Sequence, residues 1–309
     1  MFSRLRTMSV KRVAIVIAVL AGALLAFPQV ASAIVTEEVR NDLPIALDGE
    51  VWAVEQVGNF VFVGGNFTQV QVSRDGPIVD QATLFAYDID TGVFVDSFRP
   101  EFGRADGVPE VRAIQPAPDG SGLYVGGNFG TINDGTDGVA RVRNRIALLD
   151  GLTGRLDRNF SNGGVNAQVN SLALDNFGRL YVGGNFTVGL DLAPDRPPIE
   201  QSVRGLARFD GTSAAFDTGF RYESRQDIGR IVDGERTFGV SRIAFTPDGS
   251  HLFVAHRGEE LRDVTRGEVL DSPGLARIEI GANFHRARQY RALFPEANDP
   301  IQDLSLIHI

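Results

Sequence analysis

The stretch Leu123-Tyr124-Val125-Gly126-Gly127-Asn128-Phe129 decides how this chain is read. It returns as Val61-Phe62-Val63-Gly64-Gly65-Asn66-Phe67 and as Leu180-Tyr181-Val182-Gly183-Gly184-Asn185-Phe186. An eroded fourth copy reads Leu252-Phe253-Val254-Ala255-His256-Arg257. Each copy is an apolar, aromatic-rich strand running into glycines, as a strand that must bulge or turn sharply would be. Its two alternating faces are both apolar, which predicts a buried strand in the middle of a sheet.

Ahead of each copy lies a strand with two aliphatic residues three positions apart. These are Val51-Trp52-Ala53-Val54, Val111-Arg112-Ala113-Ile114, Val169-Asn170-Ser171-Leu172 and Val240-Ser241-Arg242-Ile243, with a fifth start at Ile301-Gln302-Asp303-Leu304. Repeats therefore begin near residues 51, 111, 169, 240 and 301, a fixed period that marks an array. Tight turns join the first strand to the second at Pro118-Asp119-Gly120, Asn176-Phe177-Gly178 and Pro247-Asp248-Gly249. Proline presets φ, aspartate bonds its own backbone, and glycine takes the left-handed conformation.

A polar connection leads from the second strand to a third at Leu84-Phe85-Ala86-Tyr87, Ile146-Ala147-Leu148-Leu149, Leu206-Ala207-Arg208-Phe209 and Leu275-Ala276-Arg277-Ile278. A second turn follows at Asp88 to Gly92 and Asp150 to Gly154. It reads as shortened to Asp210-Gly211-Thr212 in the third copy and as lost in the fourth. A fourth strand is expected to close on Phe98, Phe160, Phe220 and Phe284. The predicted fold class is all-β, a β-propeller of four-stranded antiparallel blades: four blades plus the start of a fifth, truncated and open. A β-sandwich would not repeat its turn chemistry in the same order. In a closed four-blade ring, Ile301 to Leu306 or the predicted strand Asp42 to Leu47 would have to complete a blade as a clasp. The ending Ser305-Leu306-Ile307-His308-Ile309 has the look of sequencing-adapter read-through.

These motifs resemble the delta-60 repeat of bacterial exported β-propellers. The resemblance is carried by the glycine strand, the Leu-Ala-x-Leu-Asp type of third strand, and an aspartate shortly before phenylalanine. The last occurs as Asp96-Ser97-Phe98, Asp157-Arg158-Asn159-Phe160 and Asp217-Thr218-Gly219-Phe220. It covers residues 45 to 306 and implies a propeller and an exported location, without a defined activity. Kelch and quinoprotein propellers use a tryptophan in each blade, whereas this chain has Trp52 alone.

Residues 1–33 read as a secretory signal peptide, with Arg4, Arg6, Lys11 and Arg12 ahead of an uncharged run from Val13 to Phe27 and the cleavage site Ala31-Ser32-Ala33. Residues 34–309 are then the propeller domain, expected to be incomplete at its C-terminus, and the protein is expected to be secreted or cell-surface. The absence of cysteine excludes lipid anchoring, disulfides and thiolate chemistry. No later stretch is apolar enough to span a bilayer as a helix. Loss of the four leader cations takes the formal charge from −9 to −13, which disfavours nucleic acid as a partner. The 35 glycines among 309 residues sit at regular positions and read as turns.

Candidate chemistry is sparse. Asp88-Ile89-Asp90-Thr91-Gly92 lacks the further ligands of a calcium loop and reads as a turn. Asn66-Phe67-Thr68 and Asn185-Phe186-Thr187 match a glycosylation acceptor but follow from the repeat, their asparagines bonding to backbone at the bulge. The four histidines show neither metal-ligand nor triad spacing, so no metal and no cofactor is expected. The polar connections between second and third strands depart most from the repeat and are expected to cluster on one face as loops. They carry the candidate ligand-binding residues Arg74, Asp75, Asp134, Asp137, Arg143, Asp191, Asp195, Arg196, Asp263 and Arg266. Arg141-Val142-Arg143-Asn144-Arg145 reads as strand-edge protection, and His285 to Ala297 as a short helix. The resulting expectation is a monomeric, non-enzymatic binding module for an extracellular protein or carbohydrate. The alternative is an exported polysaccharide hydrolase or lyase using carboxylates on the propeller face.

Overall fold

The computed structural model describes residues 40–195, 197–225 and 239–288, all of them in strands, turns and connections without a helix. Each repeat is an antiparallel sheet in which the glycine strand is central, as its two apolar faces require. Phe60–Gly65 lies between Val51–Val57 and Leu84–Asp88, and Gly122–Asn128 between Glu110–Pro116 and Ile146–Asp150. Arg179–Gly184 lies between Val169–Leu174 and Gly205–Asp210, and His251–His256 between Val240–Phe245 and Leu275–Ile280.

The glycine pair has a geometric cause. In every repeat the register slips on the first strand, between Val51 and Ala53, Val111 and Ala113, Val169 and Ser171, and Val240 and Arg242. That bulge brings the backbone of the first strand against the end of the second. A Cβ on Gly127 would stand 1.9 Å from the Glu110 carbonyl oxygen, so only glycine fits there. The other glycine faces the next repeat: a Cβ on Gly126 would meet the Val169 side chain at 2.6 Å. Gly64 and Gly183 stand in the same relation to Val111 and Val240.

The core lies between repeats, because one sheet cannot cover its own two faces. Phe62, Leu84 and Phe98 of repeat 1 pack with Val111, Leu123 and Val125 of repeat 2. Tyr124 and Phe160 then meet Val169 and Val182, and Tyr181 and Phe220 meet Val240 and Val254. Each closing phenylalanine makes an edge-on contact with the aromatic residue of its own second strand, at ring separations of 5.1, 5.4 and 5.1 Å for Phe62–Phe98, Tyr124–Phe160 and Tyr181–Phe220. Among the described residues no ladder joins repeat 4 to repeat 1, and the sheets are not closed into a ring.

The connections are not loops: each folds into an outer hairpin, such as Gln69–Gln71 with Ile78–Asp80 or Val188–Asp191 with Ile199–Ser202. A short strand from before the repeat joins each hairpin, and Ile45–Ala46 in that role pairs with Gln69–Gln71 instead of acting as a clasp. The fourth strand shrinks in three repeats to a single bridge, Tyr87 to Phe94, Leu149 to Leu156 and Phe209 to Phe216. The phenylalanines at 98, 160 and 220 follow that bridge, while Phe284 is an exposed turn residue. In repeat 4 a full fourth strand, His285–Arg288, pairs with Leu275–Ile280 where the start of a helix was expected. The remainder of that expected helix and the fifth start at residues 301–306 lie outside the described residues, as does the leader.

The third turn is not shortened either. Asp210 accepts from the Thr212 and Ser213 amides and from the Ser213 hydroxyl, just as Asp150 accepts from Leu152 and Thr153. Ala214 stands where the other copies have glycine. Asp88 is bound in the same way by Asp90 and Thr91, so the calcium-like string is a turn.

Candidate functional site

The outer hairpins do not assemble the ten candidate residues into a site. Asp134, Asp191 and Asp263 occupy one repeat position at the hairpin ends and are buried. Each accepts from the amide two residues on, at Thr136, Ala193 and Thr265, which closes the hairpin turn. Asp134 also accepts from the Leu156 amide of its own repeat. Arg143 is buried as well and donates to the Val142 and Asp157 carbonyls, so it ties the hairpin to the sheet rather than guarding an edge. Burial lowers its pKa.

Asp137 is held by Arg141 and lies 3.6 Å from Arg158; the Arg141 hydrogen bond is the main reason its pKa is lowered. Arg266 lies beside Asp263 and donates to the His285 carbonyl. Arg74 and Asp75 are exposed at the hairpin tip of repeat 1 and Asp195 at that of repeat 3, and Arg196 lies outside the described residues. The asparagines of the glycine motif behave as expected in part. Asn66 accepts from the Glu50 amide at 2.6 Å, whereas Asn185 accepts from the Asn170 side chain.

A different line of residues converges. Among the described residues the first strands are the edges of their sheets and lie side by side in successive repeats, so the extra residue of each bulge falls on a common edge. Those residues are Trp52, Arg112, Asn170 and Ser241. The Arg112 guanidinium sits 4.0 Å from the centre of the Trp52 ring, across the junction of repeats 1 and 2. Its Nε donates to Glu110 at 2.5 Å, and Arg104 approaches the other Glu110 oxygen at 3.8 Å. Asn128, turned so that its oxygen faces Arg104, accepts from it at 2.9 Å.

Further along the edge Asn170 donates to the Val240 carbonyl at 2.9 Å and Gln168 donates to Asn170 at 2.7 Å. One half of the edge is thus aromatic and cationic, the other built of amides. Trp52 remains exposed beside this packing, with 36% of its surface open. In the sequence the bulge positions differ from repeat to repeat while the aliphatic residues on either side recur, a signal that marks them as variable without placing them together.

A cleft of about 610 Å³ lies between repeats 2 and 3, lined by Pro118, Asp119, Tyr124, Asp150, Asp157 and Gly211 among others. Tyr124 donates to the Gly211 carbonyl at 2.7 Å, and burial with nearby carboxylates pushes its pKa up to about 12. Asp119 is lowered by hydrogen bonds from the Ser121 amide and hydroxyl. At Asp150 burial acts upward, but the Thr153 hydroxyl and amide outweigh it and the net shift is downward. Both carboxylates are therefore spent on turns and held in their charged form, the opposite of what a general acid needs. Among the described residues no group of three or more His, Asp or Glu is placed to hold a metal ion.

No family model matches the chain, and no curated protein matches it in sequence. Solved structures are similar to it at a coarse level. The computationally designed Ika4 protein matches at 14% identity and a TM-score of 0.37, over 72% of this chain and 89% of that one. RRP9 WD40 repeats match at 10% identity and 0.40, over 78% and 62%. The WD40 β-propeller domain of Doa1 matches at 12% and 0.35, over 66% of this chain and 47% of that chain.

Proposed function

We propose that this chain is an exported, non-enzymatic binding module, built as an open arc of four propeller blades and the start of a fifth. It takes an extracellular protein or carbohydrate on the edge formed by its first strands. One observation carries the reading: Trp52, stacked under Arg112 with part of its ring open, at the head of a line of polar bulge residues. A partly desolvated aromatic with a cation and amides beside it offers a stacking surface and directional hydrogen bonds, and a rigid sheet edge holds them without ordering cost. The exported location rests on the residues 1–33 pattern and the delta-60 resemblance.

Trp52 is the chain's single tryptophan, so its fluorescence reports this edge alone. Mature chain titrated with soluble cell-wall polysaccharides and with extracellular matrix protein is expected to show a saturable emission change with one of them. Arg112→Ala is expected to weaken that response at least tenfold. Release of reducing ends from a polysaccharide would establish the hydrolytic alternative instead, and saturable binding that leaves Trp52 emission untouched would move the site elsewhere.

A further inference from the structure

The first strands of the four repeats share a pattern but not a setting. Val111, Val169 and Val240 are sealed against Gly64, Gly126 and Gly183 of the preceding repeat. Ile114, Leu172 and Ile243, three positions on, are buried in the same junctions. Their counterparts in repeat 1, Val51 and Val54, are 46% and 60% exposed.

The open area continues onto the outer sheet. Gly164 and Glu223 each form a parallel bridge to the preceding repeat, at Asn144 and Arg204. Ile45 holds the same register in its own outer sheet, opposite Gln71 as Gly164 is opposite Leu190 and Glu223 opposite Arg262. It is 46% exposed. The middle of repeat 1 is not open: Val61, Val63 and Phe85 pack with Val70 and Phe94. Among the described residues, what remains uncovered is the aliphatic surface that three other junctions use and the outer-sheet edge that two of them bridge.

We infer that Ile45, Val51 and Val54 form a docking face for one further repeat of this same type, carrying an aromatic residue and, two positions on, a glycine on its second strand. The occupant follows from the junctions already formed. Opposite each first valine stands a glycine whose added Cβ would lie 2.6–2.7 Å from a valine methyl, so the partner strand must be bare at that point. Two residues earlier stands Phe62, Tyr124 or Tyr181, which covers the second aliphatic position. Ile45 adds a backbone edge that accepts a strand and not a sugar or a side-chain patch. These requirements describe a sheet of the repeat's own chemistry, wherever that sheet is encoded.

The chain contains no cysteine, so Val54→Cys gives a single thiol on this face. Its maleimide labelling rate is measured in the full chain and in a full chain with a second copy of residues 101–160 inserted directly before Asp42. The inserted repeat presents Tyr124 and Gly126 to the face. Labelling is expected to slow at least tenfold on insertion, and to recover when Gly126→Leu is made in the inserted copy only. Rapid labelling in the insertion protein would overturn the inference. So would an inserted repeat that stays protease-sensitive, since a complementary face should fold it onto the chain. Protection of the thiol in the parent chain that grows with protein concentration would assign the face to a second copy instead, which also overturns it.

Discussion

In repeat 3 the second strand ends on Gly184, where a Cβ would stand 2.2 Å from the Gln168 carbonyl oxygen. Repeat 4 has His256 at that position, paired with Val240 as Gly184 is with Val169, and yet it keeps the bulge. The difference lies across the strand pair. Where repeats 1 to 3 have Glu50, Glu110 and Gln168, repeat 4 has Gly239 at φ +131°, a conformation closed to most side chains. The Arg257 amide still donates to the Gly239 carbonyl at 3.0 Å, as Asn185 does to Gln168 at 2.9 Å. The bulge is what the fold needs, and its glycine can sit on either strand. Moving it freed room for a buried imidazole, held by Ser224 at 3.1 Å and Ser272 at 3.4 Å.

The largest effect should come from giving repeat 3 the histidine without the compensating glycine. Gly184→His places a side chain into the Gln168 backbone and is expected to cost at least ~3 kcal/mol by urea denaturation. Unchanged stability would mean that the bulge, and with it the pairing of these strands, is misread.

His256 next separates the two repeats by pH. Burial lowers its pKa from 6.5 to about 4. The folded state therefore binds fewer protons than the unfolded chain between those values, and stability rises with pH across the window. The contribution is complete above pH 6.5 and is lost progressively toward pH 4, with a total on the order of 3 kcal/mol. His285, lowered chiefly by burial, acts in the same direction. His256→Gln should flatten most of the slope in thermal melts between pH 4 and 6.5; an unaltered slope would move the acid sensitivity to other groups.

Gly239→Ala is expected to cost about 2 kcal/mol, because φ is unfavourable for alanine and its methyl meets Asn185. The sharper measurement is a double-mutant cycle. Gly239→Gln with His256→Gly rebuilds the arrangement of repeat 3, and the pair should be more stable than the sum of its single changes implies. Strict additivity would show that the two positions do not compensate.

The repeating part of this fold was legible in residues because each motif position answers a local demand. Glycines mark the bulge and the junction, Asp-x-x-Thr the second turn, and aromatics the edge-on pairs in the core. The outer hairpins were not legible, since their strands are two to four residues of mixed polarity and gain order by pairing with a strand from before the repeat. Asp134, Asp191 and Asp263 looked like ligands for the same reason: an aspartate that closes a buried turn and one that faces solvent are the same letter. The bulge residues break the alternation from which strand faces are read, and only the register slip places Trp52 and Arg112 together.

The smallest expected effect tests whether repeat 1 carries strain that repeats 3 and 4 have removed. The residue at the entry to each third strand is left-handed throughout, with φ of +73°, +69°, +83° and +79° at Thr83, Arg145, Gly205 and Gly274. Glycine takes that conformation freely, while a β-branched residue is crowded in it. Thr83 is in addition fully buried, and its hydroxyl lacks a hydrogen-bond partner. Thr83→Gly relieves the backbone and removes an unsatisfied polar group, together worth roughly 2–3 kcal/mol. Against this stand a lost buried methyl and the greater freedom of glycine in the unfolded chain, together about 1.5–2 kcal/mol. The balance favours the glycine variant by ~0.5–1 kcal/mol, a rise of a few degrees in Tm. Arg145→Gly offers the contrast: its guanidinium donates to the Phe129 carbonyl, so relief of the same backbone strain is offset by a lost hydrogen bond and stability should not increase. A Thr83→Gly protein that melts below the parent would mean that the buried methyl outweighs the strain at this position.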